Sequence, residues 1–225
     1  MKRFNAGIVL LLVAAAVALG VGCVGCGNAG GLEDLVAVEV MEYEGENLSS
    51  IADFRENSIK GPQHVDIDAY QLKVSGLVQN PEEYGYEAVL GGNSQYKKVV
   101  TLDCVEGWSA TILWEGVLVR DVIKEAGPLP EASVVIFHAD DGYTTSLPLD
   151  YIVENDILMA YKMNEVTLPP ERGFPFQLVA ESKWGYKWIK WITEIELSAD
   201  EGYRGYWESR GYSNSAGLDE SFFGR

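Results

Sequence analysis

After residue 50 the chain is patterned mainly at the period of strands. Tyr70-Gln71-Leu72-Lys73-Val74-Ser75-Gly76-Leu77-Val78 alternates apolar with polar positions, as a half-buried strand does, and Asn80-Pro81 ends it as a turn. Tyr96 to Leu102 predicts a second strand, which carries Cys104 to a strand end. Val117, Leu118, Val122, Ile123 and Ala126 recur at helical spacing ahead of Gly127-Pro128, so a helix is predicted over Val117 to Ala126 with a stop signal behind it. Ser133 to Phe137 is a short apolar strand, Asp140-Asp141-Gly142 a turn, and Tyr143 to Leu147 its β-prone hairpin partner. A short helix over Leu149 to Asn155 and a strand over Ile157 to Met163 follow, with Asn164-Glu165 at the next turn; Trp188 to Leu197 ends as a strand. Many short strands, few helices and no βαβ rhythm predict an α+β domain with a β-rich mixed sheet.

The amino-terminal pattern is different. Lys2 and Arg3 precede an uncharged run from Ile8 to Leu19 and small residues up to Cys23, the layout of an export signal. The apolar run is shorter than the ~20 residues of a membrane-spanning helix. Leu19-Gly20-Val21-Gly22-Cys23 resembles a lipoprotein processing site, and Gly25-Cys26 is a second candidate; an uncleaved amino-terminal anchor is the alternative. Residues 1–26 are therefore expected to be an export signal or lipoprotein anchor, 27–50 a flexible acidic linker, and 51–225 one domain. Either form of the leader places the body outside, tethered to the outer face of the cytoplasmic membrane.

Composition narrows the chemistry. The 225 residues are 47% hydrophobic, enough for one sizeable core, and 17 basic against 34 acidic residues leave a net charge of −17. Such a surface repels nucleic acid phosphates and anionic headgroups, which excludes both as partners. With two histidines and three cysteines, two of them beside the leader, a zinc site of several His and Cys ligands lacks its parts, and the body has no disulfide framework. Cys104 is then either a buried, inert thiol, the usual fate of a free cysteine, or a site residue at a strand end.

Cys104-Val105-Glu106-Gly107-Trp108-Ser109 resembles the cysteine motif of the sulfite-oxidase-like molybdopterin enzymes, and most nearly that of the periplasmic methionine sulfoxide reductase catalytic subunits. The resemblance continues in order through Trp114 and Gly116, Asp141-Gly142-Tyr143, and Leu168-Pro169-Pro170 with Gly173 and Pro175. It runs on through Lys183-Trp184-Gly185-Tyr186-Lys187-Trp188-Ile189-Lys190 to Gly205-Tyr206-Trp207-Glu208-Ser209-Arg210-Gly211-Tyr212. Four collinear matches make it specific.

The resemblance implies the sulfite oxidase fold, a molybdenum-molybdopterin cofactor, and Cys104 as the thiolate on the metal. A soft thiolate suits such a metal, and one protein sulfur suffices where the cofactor brings two more. It also implies cofactor contacts at Asn57 and Lys60, near His138, at Lys190, and at Arg172 and Gln177, where the family carries an Asn and an Arg. Gln177 lacks the family's charge. Lys187 is either a second cofactor contact or a solvated lysine. Glu106, Trp108 and Tyr143 are expected on the substrate side, Glu106 as a proton-handling group or as an orienter of the cysteine loop.

The activity implied is two-electron oxygen-atom transfer. The arginine-bearing run that follows the cysteine in sulfite enzymes is absent, so reduction of a small sulfoxide or related oxide is expected over sulfite oxidation. A catalytically silent tethered protein of the same fold that binds a ligand or partner, or a sulfite-oxidase-type enzyme, is the alternative. A separate electron carrier, such as a membrane haem protein, is required because the chain has no Cys-x-x-Cys-His haem motif.

Overall fold

The computed structural model describes residues 32–224. The export-signal and lipoprotein readings, with Cys23 and Cys26, lie outside the described residues. Among the described residues no helix is long and apolar enough to cross a membrane.

In chain order the elements are α1 (Leu32–Val36), β1 (Glu42–Tyr43), β2 (Glu46–Asn47), β3 (Leu72–Gly76), β4 (Glu82–Tyr84), α2 (Tyr86–Gly92), β5 (Gln95–Asp103) and β6 (Ser109–Leu118). There follow α3 (Val119–Lys124), β7 (Val134–Ala139), β8 (Thr144–Pro148), α4 (Leu149–Glu154), β9 (Leu158–Met163), β10 (Val166–Thr167), β11 (Gln177–Val179) and β12 (Ile192–Ser198). One antiparallel sheet runs β5-β6-β9, with β10 and β11 sharing the far edge of β9. The other orders β4-β3-β12-β7-β8, and only its β3–β12 pair is parallel. This is the expected α+β, mixed-sheet architecture.

The strands form where the period of two meets burial. On β3, Leu72 and Val74 are fully buried, while Lys73 and Ser75 point the other way and bond Glu194 across the sheet. The β7–β8 hairpin closes at Asp140–Gly142 as its turn residues predict. Asn164 and Glu165 both sit at positive φ, 46° and 65°, the mirror-image turn geometry whose twist matches a two-residue hairpin.

Two expectations are corrected. The predicted helix over Val117 to Ala126 shrinks to α3, because Val117 and Leu118 pair with Met159 and Leu158 and so finish β6. Strand β6, with ten residues the longest, escapes a pattern reading because it is buried along most of both faces, so its alternation is masked.

The second correction concerns the linker. Residues 39–50 belong to the body: the Glu39 carboxylate accepts bonds from Ser50 Oγ, the Ile51 N–H and Asn164 Nδ2 at 2.5, 2.9 and 2.9 Å. Leu48 is buried behind it. Asn164 is the knot, since its Oδ1 accepts the Leu113 N–H at 3.1 Å and its Nδ2 also donates to Ser49 O at 2.9 Å. Asn164→Ala removes these bonds and places a Cβ-only side chain at positive φ. We expect a loss of roughly 2–4 kcal/mol in urea unfolding; an unchanged midpoint would show that the 39–50 segment is not held this way.

Candidate active site

Cys104 stands where β5 ends. The β5–β6 ladder closes on the pair Asp103–Ser109, and the five residues between them fold back on themselves. The Cys104 N–H donates to Trp108 O at 2.9 Å, and the Gly107 N–H donates to Cys104 O at 3.0 Å. The thiol faces inward, 9% exposed, with Asn57 Nδ2 3.7 Å from its sulfur. Burial, helped by the Glu106 carboxylate, pushes this thiol above its ordinary value, opposed by the Glu106 backbone N–H, the Asn57 amide and, least, the charge of Arg55.

A cavity of about 360 Å³ opens on the sulfur. Its walls come from the 54–59 segment, the cysteine loop, the Asp141–Tyr143 turn, the 171–177 and 185–191 segments and the tail at Trp207 and Tyr212. Each piece is anchored. Arg172, buried in the interior, donates from Nε to Ile51 O at 3.0 Å and from Nη2 to Phe54 O at 2.9 Å, with its guanidinium over the Phe54 ring. Buried Asp141 accepts the Tyr143 N–H at 2.8 Å, and the Tyr143 hydroxyl donates to Tyr186 O at 2.5 Å. Lys190 donates to Glu56 at 2.8 Å and to Glu171 O at 3.3 Å, and lies over the Trp191 ring. Burial lowers its pKa, and the Glu56 carboxylate opposes that.

Two glycines of the quoted motifs have steric reasons. A Cβ on Gly185 would lie 3.3 Å from Asp103 O, a tight approach that glycine relieves where this segment crosses the end of β5 beside Cys104. Gly173 sits at φ 98°, where a Cβ would press within 3.0 Å of the Lys190 side chain and 3.1 Å of Gln177.

The structure gathers Cys104, Glu106, Tyr143, Asn57, Arg172, Gln177 and Lys190 around one cavity. Three expected contacts are not brought there. Lys60 is exposed, with its ammonium near Gly142 and outside the wall. His138 points to the face of the second sheet opposite the core, where Nε2 meets Glu196 at 2.9 Å, because Phe137 and Ala139 take the inward register on β7. Lys187 is fully buried beneath the wall. Its Nζ donates to Ser146 O at 2.9 Å, Glu208 Oε1 at 2.5 Å and Asn214 Oδ1 at 3.5 Å, so its three donors are occupied.

Sequence reasoning missed Arg55, which lines the cavity and whose charge is felt at Cys104. Nothing in its local pattern marks it; its place depends on the Arg172 bonds that hold the neighbouring backbone. Ser58 Oγ and Trp108 Nε1, on two lining residues, are buried without a partner.

A cavity lined by a buried thiol, polar donors and aromatic rings is a ligand-binding site, and comparison with known proteins identifies its class as that of a cofactor-binding oxidoreductase domain. Residues 59–207 match the oxidoreductase molybdopterin binding domain, and the chain belongs to that family, within the sulfite oxidase group. It is 37% identical over 152 residues to the oxidoreductase YuiH of Bacillus subtilis, covering 67% of this chain and 76% of that protein. It is 31% identical over 153 residues to the catalytic subunit MsrP of a protein-methionine-sulfoxide reductase from Xanthomonas campestris, covering 61% and 48%. The match to YedZ1 of Azospira oryzae, a putative subunit of such a reductase, is 32% over 151 residues and covers 67% and 57%, so the chain spans about half the length of these two relatives. The fold matches the sulfane dehydrogenase SoxCD of Paracoccus pantotrophus with a TM-score of 0.60 at 19% identity, over 84% of this chain and 56% of that one.

The residues present fit the family's cofactor. No group of three or more His, Cys, Asp or Glu among the described residues could hold a metal, so a metal at Cys104 must arrive with further ligands of its own. Arg55, Arg172 and Lys190 share the cavity wall with Glu106, Asp141 and Glu171, so the cofactor's anionic part would meet individual donors and not a net positive field, and the unpartnered Ser58 and Trp108 atoms are available polar groups in its walls.

Lys187 provides the contrasting test. Lys187→Met leaves Glu208 buried and uncompensated, and we expect a loss of roughly 3–5 kcal/mol of stability. Unfolding midpoints of the variant and the parent measure it; equal midpoints would mean that the Lys187–Glu208 pair does not hold the tail to the body.

Proposed function

We propose that the chain is a molybdenum-cofactor oxidoreductase that reduces a small sulfoxide or related oxide. In this reading it works on the outer face of the cytoplasmic membrane, tethered there by its amino-terminal segment. The observation that carries the reading is the buried Cys104 thiol at the cavity, held by its own loop and approached by the Asn57 amide. The reductase names of two relatives support the substrate class.

The balance is R₂SO plus two electrons and two protons giving R₂S and water. The bound cofactor supplies the two-electron change and the oxygen-accepting centre. Cys104 ligates its metal, while Asn57 and the Glu106 N–H orient and charge-stabilise the sulfur. Asn57, Arg172 and Lys190 hold the cofactor's polar and anionic parts. Glu106, exposed at the cavity, passes protons in from solvent. Tyr143, with its hydroxyl bound to Tyr186 O, shapes the wall on the substrate side. Electrons arrive from a separate carrier, a membrane haem protein in this proposal. Sulfite fits less well, because the free charge of Arg55 faces Glu106, Asp141 and Glu171 on the same walls and no arginine cluster forms.

Metal analysis tests the reading. Protein made in a cofactor-competent host should carry about one molybdenum per chain and reduce sulfoxides with a chemical electron donor. Cys104→Ser should lose both the metal and the turnover while its circular dichroism stays that of the parent. Parent protein without metal, or a Cys104→Ser variant that keeps it in stoichiometric amount, contradicts the proposal.

A further inference from the structure

Asn57 reaches the Cys104 sulfur from a stretch, residues 50–60, that has no helix or strand of its own. Whatever holds that stretch in place is therefore part of the site. Its first turn is closed locally, with the Ser50 N–H on Asp53 Oδ2 at 3.0 Å and the Ala52 N–H on Ser50 Oγ at 3.1 Å. Within the turn Ile51 is fully buried, and its backbone is gripped on both sides. The Ile51 carbonyl accepts Arg172 Nε at 3.0 Å, and the Ile51 N–H donates to Glu39 Oε2 at 2.9 Å. Arg172 goes on to the Phe54 carbonyl at 2.9 Å, one turn of chain ahead of Asn57.

Glu39 is the outer end of this series of bonds. Its carboxylate also accepts Ser50 Oγ at 2.5 Å and Asn164 Nδ2 at 2.9 Å, and the Val40 N–H beside it donates to Asn164 O at 3.1 Å. The three donors on the carboxylate are neutral, so charge-assisted hydrogen bonds hold it and no ion pair is needed. Residue 39 precedes the matched family domain, which begins at residue 59, so this support reaches the site from outside that domain.

We infer that Glu39 is a positioning residue of the active site. By fixing Ser50 and the Ile51 N–H it holds the strap from the side opposite Arg172, and so sets the 54–58 wall and the approach of the Asn57 amide to Cys104. Glu39 does not line the cavity; it acts through Ile51. The segment that leads to the amino terminus is thereby built into the site as well as serving as a tether. The part that concerns the metal rests on the cofactor reading above.

The test compares Glu39→Ala and Glu39→Gln with the parent holoenzyme, and uses Glu46→Gln, an exposed acid of the same segment, as the control. Amide hydrogen exchange followed by mass spectrometry reads the strap directly. In Glu39→Ala the peptides covering 51–58 should exchange roughly 10- to 100-fold faster, the worth of one or two bonds to a carboxylate, while those of β7 and β12 keep the parent's protection. Glu39→Gln keeps a carbonyl oxygen for the Ile51 N–H and should fall between. The second readout is the electron paramagnetic resonance spectrum of the one-electron-reduced molybdenum, which responds to the geometry at its sulfur ligand. Glu39→Ala should shift this spectrum or lose the metal, and Glu46→Gln should do neither. A residue that only added stability would leave the spectrum of folded protein unchanged. Parental exchange at 51–58 in both Glu39 variants overturns the inference, and so does faster exchange with a parental spectrum. If Glu39→Ala fails to fold, Glu39→Gln decides by the same two measurements. If the parent holds no molybdenum, the cofactor reading fails by itself, and exchange at 51–58 alone decides on Glu39.

Discussion

The candidate site depends on one buried guanidinium. Arg172 lies in the interior, where an unpaired charge would be costly, and the carbonyls of Ile51 and Phe54 with the Phe54 ring offset that cost. The same bonds tie a stretch without regular secondary structure to the body at the point where Phe54, Arg55, Asn57 and Ser58 enter the cavity wall. Without them Asn57 would have no fixed approach to the Cys104 sulfur. Gly173 makes this arrangement sterically possible, because the chain must turn through a left-handed conformation between Arg172 and the packed side chains of Lys190 and Gln177.

Two lysines three residues apart show how backbone geometry separates a wall residue from an interior one. The short 3-10 turn at Gly185–Lys187 directs Lys187 into the core, where Glu208 answers it and joins the tail to β8 through Thr145. Lys190, past the turn, emerges in the cavity and meets Glu56 from the opposite strap. The Lys187–Glu208 pair is fully buried, so it is worth more as a geometric constraint than as a net source of stability, whereas Glu56 leaves the Lys190 pair open to solvent. Around them the cavity wall mixes aromatic rings, such as Trp108, Trp188 and Trp191, with polar and charged side chains, such as Asn57, Glu106 and Gln177.

Much of the scaffold was legible because its strands alternate: β3, the β7–β8 hairpin and the turn at Asn164-Glu165 follow from local pattern and turn chemistry. Strand β6 was not, since burial along both faces erases the alternation, and its last residues read as the start of a helix until pairing with β9 decided otherwise. The tie of Glu39 to Asn164, 125 residues away, likewise left no local signal in a stretch whose composition reads as linker.

By itself the sequence determined the fold class and the family and singled out Cys104 as the residue to look for, because periodicity and collinear motifs are properties of the chain's order. Tertiary structure alone decided which charged residues share the cavity. It turned His138 outward through strand register, sank Lys187 against Glu208, left Lys60 outside the wall, and put Arg55 on the wall of the cavity that holds Cys104. The reason is physical: a side chain's direction depends on the face its backbone presents, and at these positions that face is set by packing and long-range hydrogen bonds and not by neighbours in sequence.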